Sequence, residues 1–458
     1  MLFHSWVFIL FFFLFYPVFL LTKNTRFKDP WLLACSYLFY GWWNPLYLVL
    51  IAWSTTVDYS MVALMARSRN RGLWLSLSVI NNLMLLGFFK YGAFVADNLN
   101  HLFSSVGISY ALPHPDVLLP VGISFYVFQS LSYTIDFYRG KIEKEKSFVR
   151  YATFVSLFPQ LVAGPVERAG NLLPQLRKKV TLTWGDISDG MSLFLVGLFK
   201  KVALADYLAL YVDRAYDVPE QFGGTTLLFA TFAFGWQIYF DFSGYTDMAR
   251  GIGRMIGIRL MLNFNNPYLA KGLGEFWNRW HISLSSWFKD YVYIPLGGNR
   301  KGPSATYRNM ALTMLISGLW HGAAWTFVIW GGLHALGRFA TRGLERTAFY
   351  RTRVPGLAKQ MLVFAFVTFA WIFFRAASLD DALLIVTKIF TEGWSDPEFP
   401  LLMLFLILSV WAYQFAVESR LRSVLATAPV RVGLAVGMIV YLALFASGSS
   451  QPFIYFQF

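Results

Sequence analysis

The chain of 458 residues has one cysteine and six histidines, and only 14% of its residues are charged. The single thiol, Cys35, excludes an intrachain disulfide and a cysteine-based metal site. Its apolar surroundings predict a buried and unreactive side chain. No Walker A sequence, paired-glycine dinucleotide fingerprint, G-x-S-x-G element or His-Glu-x-x-His pair occurs. These absences argue against the common nucleotide-binding, serine-hydrolase and zinc-peptidase chemistries.

Apolar residues are abundant, since 57% of the chain is hydrophobic and 19% is aromatic. Several apolar stretches approach the ~20 residues that a helix needs to cross a bilayer, and no polar run is long enough to form a soluble domain. The first stretch, Trp6 to Leu21, lacks a basic N-terminal region before it and a small-residue cleavage site after it, and more apolar stretches follow, which predicts a retained helix rather than a signal peptide. The sequence predicts an all-α polytopic membrane protein, with residues 1–458 forming one domain of about ten transmembrane helices.

The net charge of +14 is concentrated in short loops between the apolar stretches. This positive-inside pattern is typical of a protein whose partner is the lipid bilayer, and it argues against nucleic-acid binding. The basic loops predicted to face the cytoplasm include Lys23–Lys28, Arg67–Arg71, Arg139–Arg150 and Arg338–Arg353. Counting crossings from these loops predicts that both termini are extracytoplasmic.

One apolar segment, Tyr151–Ala163, is too short to cross the membrane and has bases on both sides, with Arg177 to Lys179 following it. Non-helical backbone at membrane depth is tolerated only where protein or water covers it. We therefore expect a re-entrant piece that breaks near Gly164-Pro165.

A second interrupted segment, Met310–Leu336, also lies between basic stretches. Its four interrupting glycines are Gly318, Gly322, Gly331 and Gly332. The positive-inside rule is satisfied if the segment enters the membrane and returns, with His321 near the turn. The alternative is a single tilted span that leaves Arg338 and Arg342 outside.

Two of the six histidines lie in tryptophan-flanked segments, where an ionisable group is costly unless it is solvated, paired or used. His281 lies within Phe276–Leu284, and His321 lies between Trp320 and Gly322. Imidazole transfers protons near neutral pH, so the pair predicts a general base that acts on a hydroxyl while the acyl group arrives as a thioester. The alternatives are an interfacial loop around His281 and a histidine hydrogen-bonded between helices at His321.

Residues near the two histidines are candidates for binding the substrates. The predicted binding residues are Asn278, Arg279, Trp280, Ser283, Asp290, Arg300, Lys301 and Trp320. We expect Asn278, Arg279, Trp280 and His281 to line a cytoplasmic mouth that holds the donor. Arg279, Arg300 and Lys301 offer cations for the phosphates of coenzyme A or of a carrier-protein arm. No metal or bound cofactor is expected. His334 is predicted to have a packing or gating role.

The C-terminal segment from Pro452 is rich in aromatic residues, which are Phe453, Tyr455, Phe456 and Phe458. An exposed aromatic cluster is typical of an interaction site, so the tail is predicted to dock a partner. Tyr455 is also a candidate acyl relay, because its hydroxyl could carry the group as a phenolic ester. The alternative is a tail folded back against the helices at the interface.

Three segments resemble the membrane-bound O-acyltransferase family: Asp241–Met248, Glu275–Lys301, and Leu319–Gly322 with Trp325. Within that family the chain is similar to the bacterial branch that acetylates polysaccharides such as alginate. The resemblance extends over the whole chain, and it places the core motifs at residues 241–340.

The resemblance implies a central tunnel through a bacterial cytoplasmic membrane, with the essential histidine at His321 and a second polar position at His281. It also implies a cytoplasmic acyl donor, acetyl-CoA or another thioester, a polysaccharide acceptor, and a separate periplasmic transferase of the SGNH type. A transporter or flippase for a lipid-linked or anionic sugar is the alternative, since broken apolar segments suit it too.

Overall fold

The computed structural model describes residues 1–115, 119–445 and 453–454, and these residues contain helices and no strands. The helices of the first half are α1 (Trp6–Thr22), α2 (Lys28–Gly41), α3 (Tyr47–Met65), α4 (Arg71–Phe89), α5 (Gly92–Ser105), α6 (Ile123–Tyr138), α7 (Phe148–Ser156), α8 (Phe158–Leu161), α9 (Ala169–Arg177), α10 (Trp184–Leu198) and α11 (Asp206–Tyr216). A π-helical segment, Phe199–Ala205, joins α10 to α11.

The helices of the second half are α12 (Gly224–Met255), α13 (Leu273–Arg279), α14 (Ile282–Phe288), α15 (Gly302–His321), α16 (Trp325–Leu344), α17 (Ala348–Thr352), α18 (Gly356–Arg375), α19 (Leu379–Thr391), α20 (Leu401–Val417), α21 (Arg422–Leu425) and α22 (Ala428–Phe445). A second π-helical segment, Lys289–Tyr293, follows α14.

Length and composition identify four helices among the described residues that could cross a membrane: α3, α4, α18 and α22. The shorter helices α1 and α20, with 17 residues each, are also strongly apolar. The prediction of an all-helical membrane protein is confirmed. The number of crossings and their orientation stay predictions.

The chain forms two compact units, one containing residues 1–191 and 249–261 and the other containing residues 192–248 and 262–458. Phenylalanine rings fill part of the first core, with Phe158 of α8 contacting Phe11 and Phe15 of α1 at 5.3 and 5.1 Å between ring centroids. The segment predicted to be too short to cross, Tyr151–Ala163, contributes to α7 and forms α8, and it is buried throughout.

A carboxylate is buried between α3 and α4 of the first unit. Asp58 accepts hydrogen bonds from Ser78 Oγ at 2.6 Å and from Asn82 Nδ2 at 3.0 Å. A charge inside an apolar helix pair is tolerated when polar groups satisfy it in this way, so these contacts also hold the two helices together.

In the second unit α15 and α16 form an antiparallel hairpin that reverses at residues 322–324. The rings of Tyr307 and Phe339, at the far ends of the two helices, lie 4.9 Å apart. Near the turn the backbones are in close contact, because a Cβ at Gly318 would lie 2.2 Å from the carbonyl oxygen of Phe327 and one at Gly331 would lie 2.5 Å from that of Met314. The chain reverses next to His321, whereas the entry of this segment into the membrane and its return stay a prediction.

Candidate active site

The second unit brings His281 and His321 together, although forty residues separate them in the sequence. Their ring centroids lie 6.3 Å apart, and the two residues are 0% and 3% exposed. Trp320 contacts both rings, at 6.1 Å from His281 and 4.9 Å from His321. The site is therefore a pair of buried imidazoles in an aromatic setting.

His281 is positioned by the short connection between α13 and α14, where its backbone is left-handed with φ 43° and ψ 52°. The buried Asn263 holds this connection, since its carbonyl oxygen accepts a hydrogen bond from Ile282 N at 2.9 Å and its side-chain oxygen accepts one from Ser283 Oγ at 2.9 Å. Phe242 packs edge-on against the His281 ring at 4.6 Å. A non-glycine residue held at positive φ in a packed site is typical of functional positions.

Burial lowers the pKa of His281 to about 3. His281 lies outside the four candidate membrane-spanning helices. The cause is desolvation, which disfavours the imidazolium cation. The ring is therefore neutral at physiological pH, the form in which one imidazole nitrogen accepts a proton or a hydrogen bond.

His321 ends α15 and has aromatic walls on several sides. Its ring lies 5.2 Å from that of Trp330 and 5.3 Å from that of Phe374. His334, one helical turn beyond Trp330 in α16, is fully buried with its ring 4.7 Å from the same tryptophan. The packing position predicted for His334 agrees with this contact.

A cavity of about 400 Å³ lies next to this cluster in the second unit. Its lining includes Ser317, which lies four residues before His321 and thus one turn away on the same face of α15. Its cationic lining residues are Lys289, Arg338 and Arg342, and none of the described carboxylates lines it. A cavity of this size, with cations and a neighbouring histidine, fits a small phosphate-bearing ligand.

The predicted binding residues divide into three groups. Asn278 lines the cavity, and Trp320 touches both histidines. Arg300 and Lys301 are exposed and do not line the cavity, whereas Lys289, Arg338 and Arg342, which were not predicted, do. Sequence patterns could not identify Arg338 and Arg342 as lining residues, because they lie on α16. That helix lies beside α13 and α14 only in the folded hairpin.

The remaining predicted residues do not line the cavity. Arg279 binds the carboxylates of Glu275 and Glu418, at 2.9 and 2.5 Å. Trp280 is 1% exposed, and its ring centroid lies 5.1 Å from that of Trp371. It therefore lies in the aromatic core and not at the mouth that was predicted from the sequence. Ser283 is buried against Asn263, and Asp290 lies half-exposed in the second π-helical segment.

Part of the C-terminal tail packs against Phe242, the residue that contacts the His281 ring. Phe453, predicted to belong to an exposed aromatic cluster, is instead 1% exposed and contacts Phe242 at 5.8 Å and Tyr245 at 5.0 Å. Ile454 N donates a hydrogen bond to Asp241 Oδ2 at 2.7 Å. Pro452, Tyr455, Phe456 and Phe458 lie outside the described residues.

A buried ion cluster supports this anchoring carboxylate. Lys201, in the first π-helical segment, is 2% exposed and lies 2.8 Å from Asp206 and 2.9 Å from Asp241. Its ammonium group bridges the two acids, and Asp241 uses its other oxygen for the tail. The cluster thus connects the Asp241–Met248 motif to residue 454.

Comparison with known proteins identifies the family. The sequence profile of the membrane-bound O-acyltransferase family matches residues 3–379. The chain belongs to this family. It is therefore an O-acyltransferase, which decides between the enzyme and the transporter or flippase considered from the sequence.

Individual relatives agree with the family profile. The chain is 43% identical to the probable alginate O-acetylase AlgI of Azotobacter vinelandii over 84% of this chain and 77% of that protein. It is 38% identical to the peptidoglycan O-acetyltransferase of Helicobacter pylori over 80% and 74% of the two chains. A more distant relative, 29% identical over 55% of this chain and 67% of its own length, is the teichoic acid D-alanyltransferase of Bacillus subtilis.

The left-handed backbone at residue 281 can be tested by comparing two variants that both lack the imidazole and differ in how well they tolerate positive φ. His281→Asn keeps a side chain that tolerates positive φ, whereas His281→Val places a β-branched residue there. We expect the valine variant to be less stable than the asparagine variant by about 1–2 kcal/mol or more. Thermal unfolding of both purified variants in detergent measures this difference. Equal melting temperatures would contradict the strained conformation.

Proposed function

We propose that the two histidines transfer an acyl group from a thioester to a hydroxyl, with His321 as the general base. The observation that carries this proposal is the pair of buried imidazoles 6.3 Å apart, beside a cation-lined cavity, in a chain of the O-acyltransferase family. Acyl transfer from a thioester needs a proton acceptor and a positioned donor, and it needs no metal. Among the described residues no cluster of three metal-binding side chains occurs.

In the proposed reaction, neutral His321 removes the proton of the attacking hydroxyl as its oxygen bonds to the acyl carbon. The carbon–sulfur bond then breaks, and the imidazolium returns the proton to the departing thiolate. His281, whose neighbours Ile282 and Ser283 are hydrogen-bonded to Asn263, is the second polar group and would orient His321 or the acceptor hydroxyl. The aromatic walls exclude water, which would otherwise hydrolyse the thioester.

The relatives suggest the substrates and the setting. We propose an acetyl group as cargo, acetyl-CoA or a carrier protein as donor, and a cell-surface polysaccharide as final acceptor, in a bacterial cytoplasmic membrane. The basic loops and the cavity cations would face the cytoplasmic donor, and a periplasmic transferase of the SGNH type would complete the transfer. We also propose that residues 1–458 work as one membrane domain.

His321→Gln tests the general base. The variant retains size and hydrogen-bonding capacity but cannot take up a proton, so we expect acyl transfer from labelled acetyl-CoA to fall by about 10²–10⁴-fold. His101→Gln, at an exposed position outside the cluster, is the matched control and should keep wild-type activity. Size-exclusion profiles verify folding. Wild-type turnover by His321→Gln would remove His321 from the mechanism.

Substitution of the cations that line the cavity tests whether they bind the donor. Lys289→Gln and Arg342→Gln should each raise the apparent donor KM more than they lower kcat, because a phosphate contact present in both ground state and transition state contributes uniform binding. Arg300→Gln and Lys301→Gln, which remove exposed charges outside the cavity, are the comparison pair. If only the comparison pair changed KM, the donor would bind at the residues predicted from the sequence.

We propose that Tyr455 relays the acyl group. Phe453 and Ile454 pack beside Phe242, which touches His281, and Tyr455 is the next residue along the chain. In this relay the Tyr455 phenol is the attacking hydroxyl: His321 takes its proton as the phenolic oxygen bonds to the acyl carbon, the carbon–sulfur bond breaks, and the thiolate leaves with that proton. A hydroxyl of the outer transferase then attacks the ester, takes the acyl group and returns its proton to the phenolic oxygen. Phe453 lies against Phe242, which contacts His281, and this proximity supports the relay.

Tyr455→Phe tests the relay, because it keeps the ring and removes only the nucleophilic hydroxyl. We expect polysaccharide acylation to be lost in cells carrying this variant, while protein abundance is unchanged. Mass spectrometry of the wild-type C-terminal peptide after incubation with labelled donor should detect the ester. Normal acylation of the polysaccharide by Tyr455→Phe would show that the relay is wrong.

A further inference from the structure

A second cavity, of about 430 Å³, lies in the first unit, apart from the residues used above. Three basic segments surround it: the connection between α1 and α2, the start of α7, and the end of α9. Its cationic lining residues are Lys23, Arg26, Lys28, Arg150, Arg177, Lys178 and Lys179, and its lining holds one carboxylate, Asp29. The cavity is therefore strongly positive.

Nearby acids compensate only part of this charge. Arg150 binds Asp29 at 2.9 Å and Glu145 at 3.4 Å, and Arg177 binds Glu145 at 2.8 Å. The other four exposed or half-exposed cations, Lys23, Arg26, Lys178 and Lys179, have no carboxylate partner among the residues that the structure describes.

The backbone holds these uncompensated cations together. Asn24 binds the backbone of Val180 through both ends of its amide, at 3.2 and 2.8 Å. The buried Lys28 ammonium donates to the carbonyl oxygens of Leu176 and Lys178. These contacts fix the α1–α2 connection against residues 176–180, so the backbones that carry the like charges stay close together. An anion bound between the side chains would reduce their repulsion.

We propose that this cavity, which we call the basic pocket, binds the phosphate headgroup of an anionic phospholipid. Clustered lysines and arginines bind phosphate through charge-assisted hydrogen bonds. The pocket begins at Lys23, directly after the apolar helix α1 ends at Thr22, which is where a membrane helix reaches the headgroup layer. Phe27, beside the pocket, is 55% exposed and has Arg26 over its ring at 5.0 Å.

The size and position of the pocket favour a lipid over other phosphate sources. Its volume lies in the range of small-ligand sites, roughly 300–1,000 Å³. A concave site of this size suits a lipid headgroup rather than the broad surface of a protein. Basic pockets at the ends of membrane helices on the cytoplasmic side characteristically bind anionic headgroups. Two of the three basic segments belong to loops predicted to face the cytoplasm, Lys23–Lys28 and Arg139–Arg150, where such lipids are present.

The test measures lipid binding by purified protein in detergent, as the rise in melting temperature on adding phosphatidylglycerol or cardiolipin, with phosphatidylcholine as the neutral comparison. The variant Arg26→Gln/Lys179→Gln removes two uncompensated cations. At about 1 kcal/mol per cation near the membrane surface, we expect apparent affinity for the anionic lipids to fall at least about tenfold. Without lipid the variant should melt at the wild-type temperature or above it, because repulsion is relieved.

A matched control removes two exposed arginines elsewhere, Arg420→Gln/Arg422→Gln, and should keep wild-type lipid affinity. Equal affinity of wild type and pocket variant for the anionic lipids would overturn the proposal. Equal protection by inorganic diphosphate would assign the pocket to a soluble phosphate compound instead. Protection by an acidic carrier protein, with none by phosphatidylglycerol, would assign it to a protein partner and also overturn the proposal.

Discussion

The contact between α15 and α16 is the constraint on which the histidine pair depends. Gly318 and Gly331 let the two backbones approach to distances that a Cβ would prevent, and Gly322 makes room for the Phe327 ring, which would lie 2.0 Å from a Cβ at that position. In a membrane, where lipid removes much of the hydrophobic driving force between helices, small residues of this kind allow tight packing. The two helices of the hairpin are therefore tightly packed, and His321 lies at the turn between them.

The sequence could predict the local part of this arrangement. Scarce histidines between tryptophans indicated both imidazoles, and the glycines and the charge rule indicated the reversal near His321. It could not predict which distant residues complete the site. Asn263, whose amide oxygen holds the backbone at Ser283, lies in an asparagine-rich run that has no catalytic spacing, and Arg342 reaches the cavity only through the fold of the hairpin.

The positions of charged side chains in the fold follow less directly from the sequence than those of apolar side chains, for a similar reason. Arg279, Arg300 and Lys301 all looked suited to phosphate, but a sequence does not show which cations already have partners. Glu418, 139 residues away, binds Arg279, and Lys201 is enclosed between Asp206 and Asp241. A buried ion cluster stabilises a fold poorly compared with apolar packing, yet losing one member is costly. Here it holds Asp241, and through it the backbone of Ile454, in a defined position.

Proteoliposomes with the basic loops facing outwards test the passage of an acyl group through this site most directly. Acetyl-CoA labelled separately in its acetyl and coenzyme A parts is added outside, and an acceptor with its partner transferase is enclosed inside. Acetyl label should appear on the enclosed acceptor while the coenzyme A label stays outside. Coenzyme A label entering with the acetyl group, or acylation only of acceptor added outside, would contradict transfer across the membrane through the histidine pair.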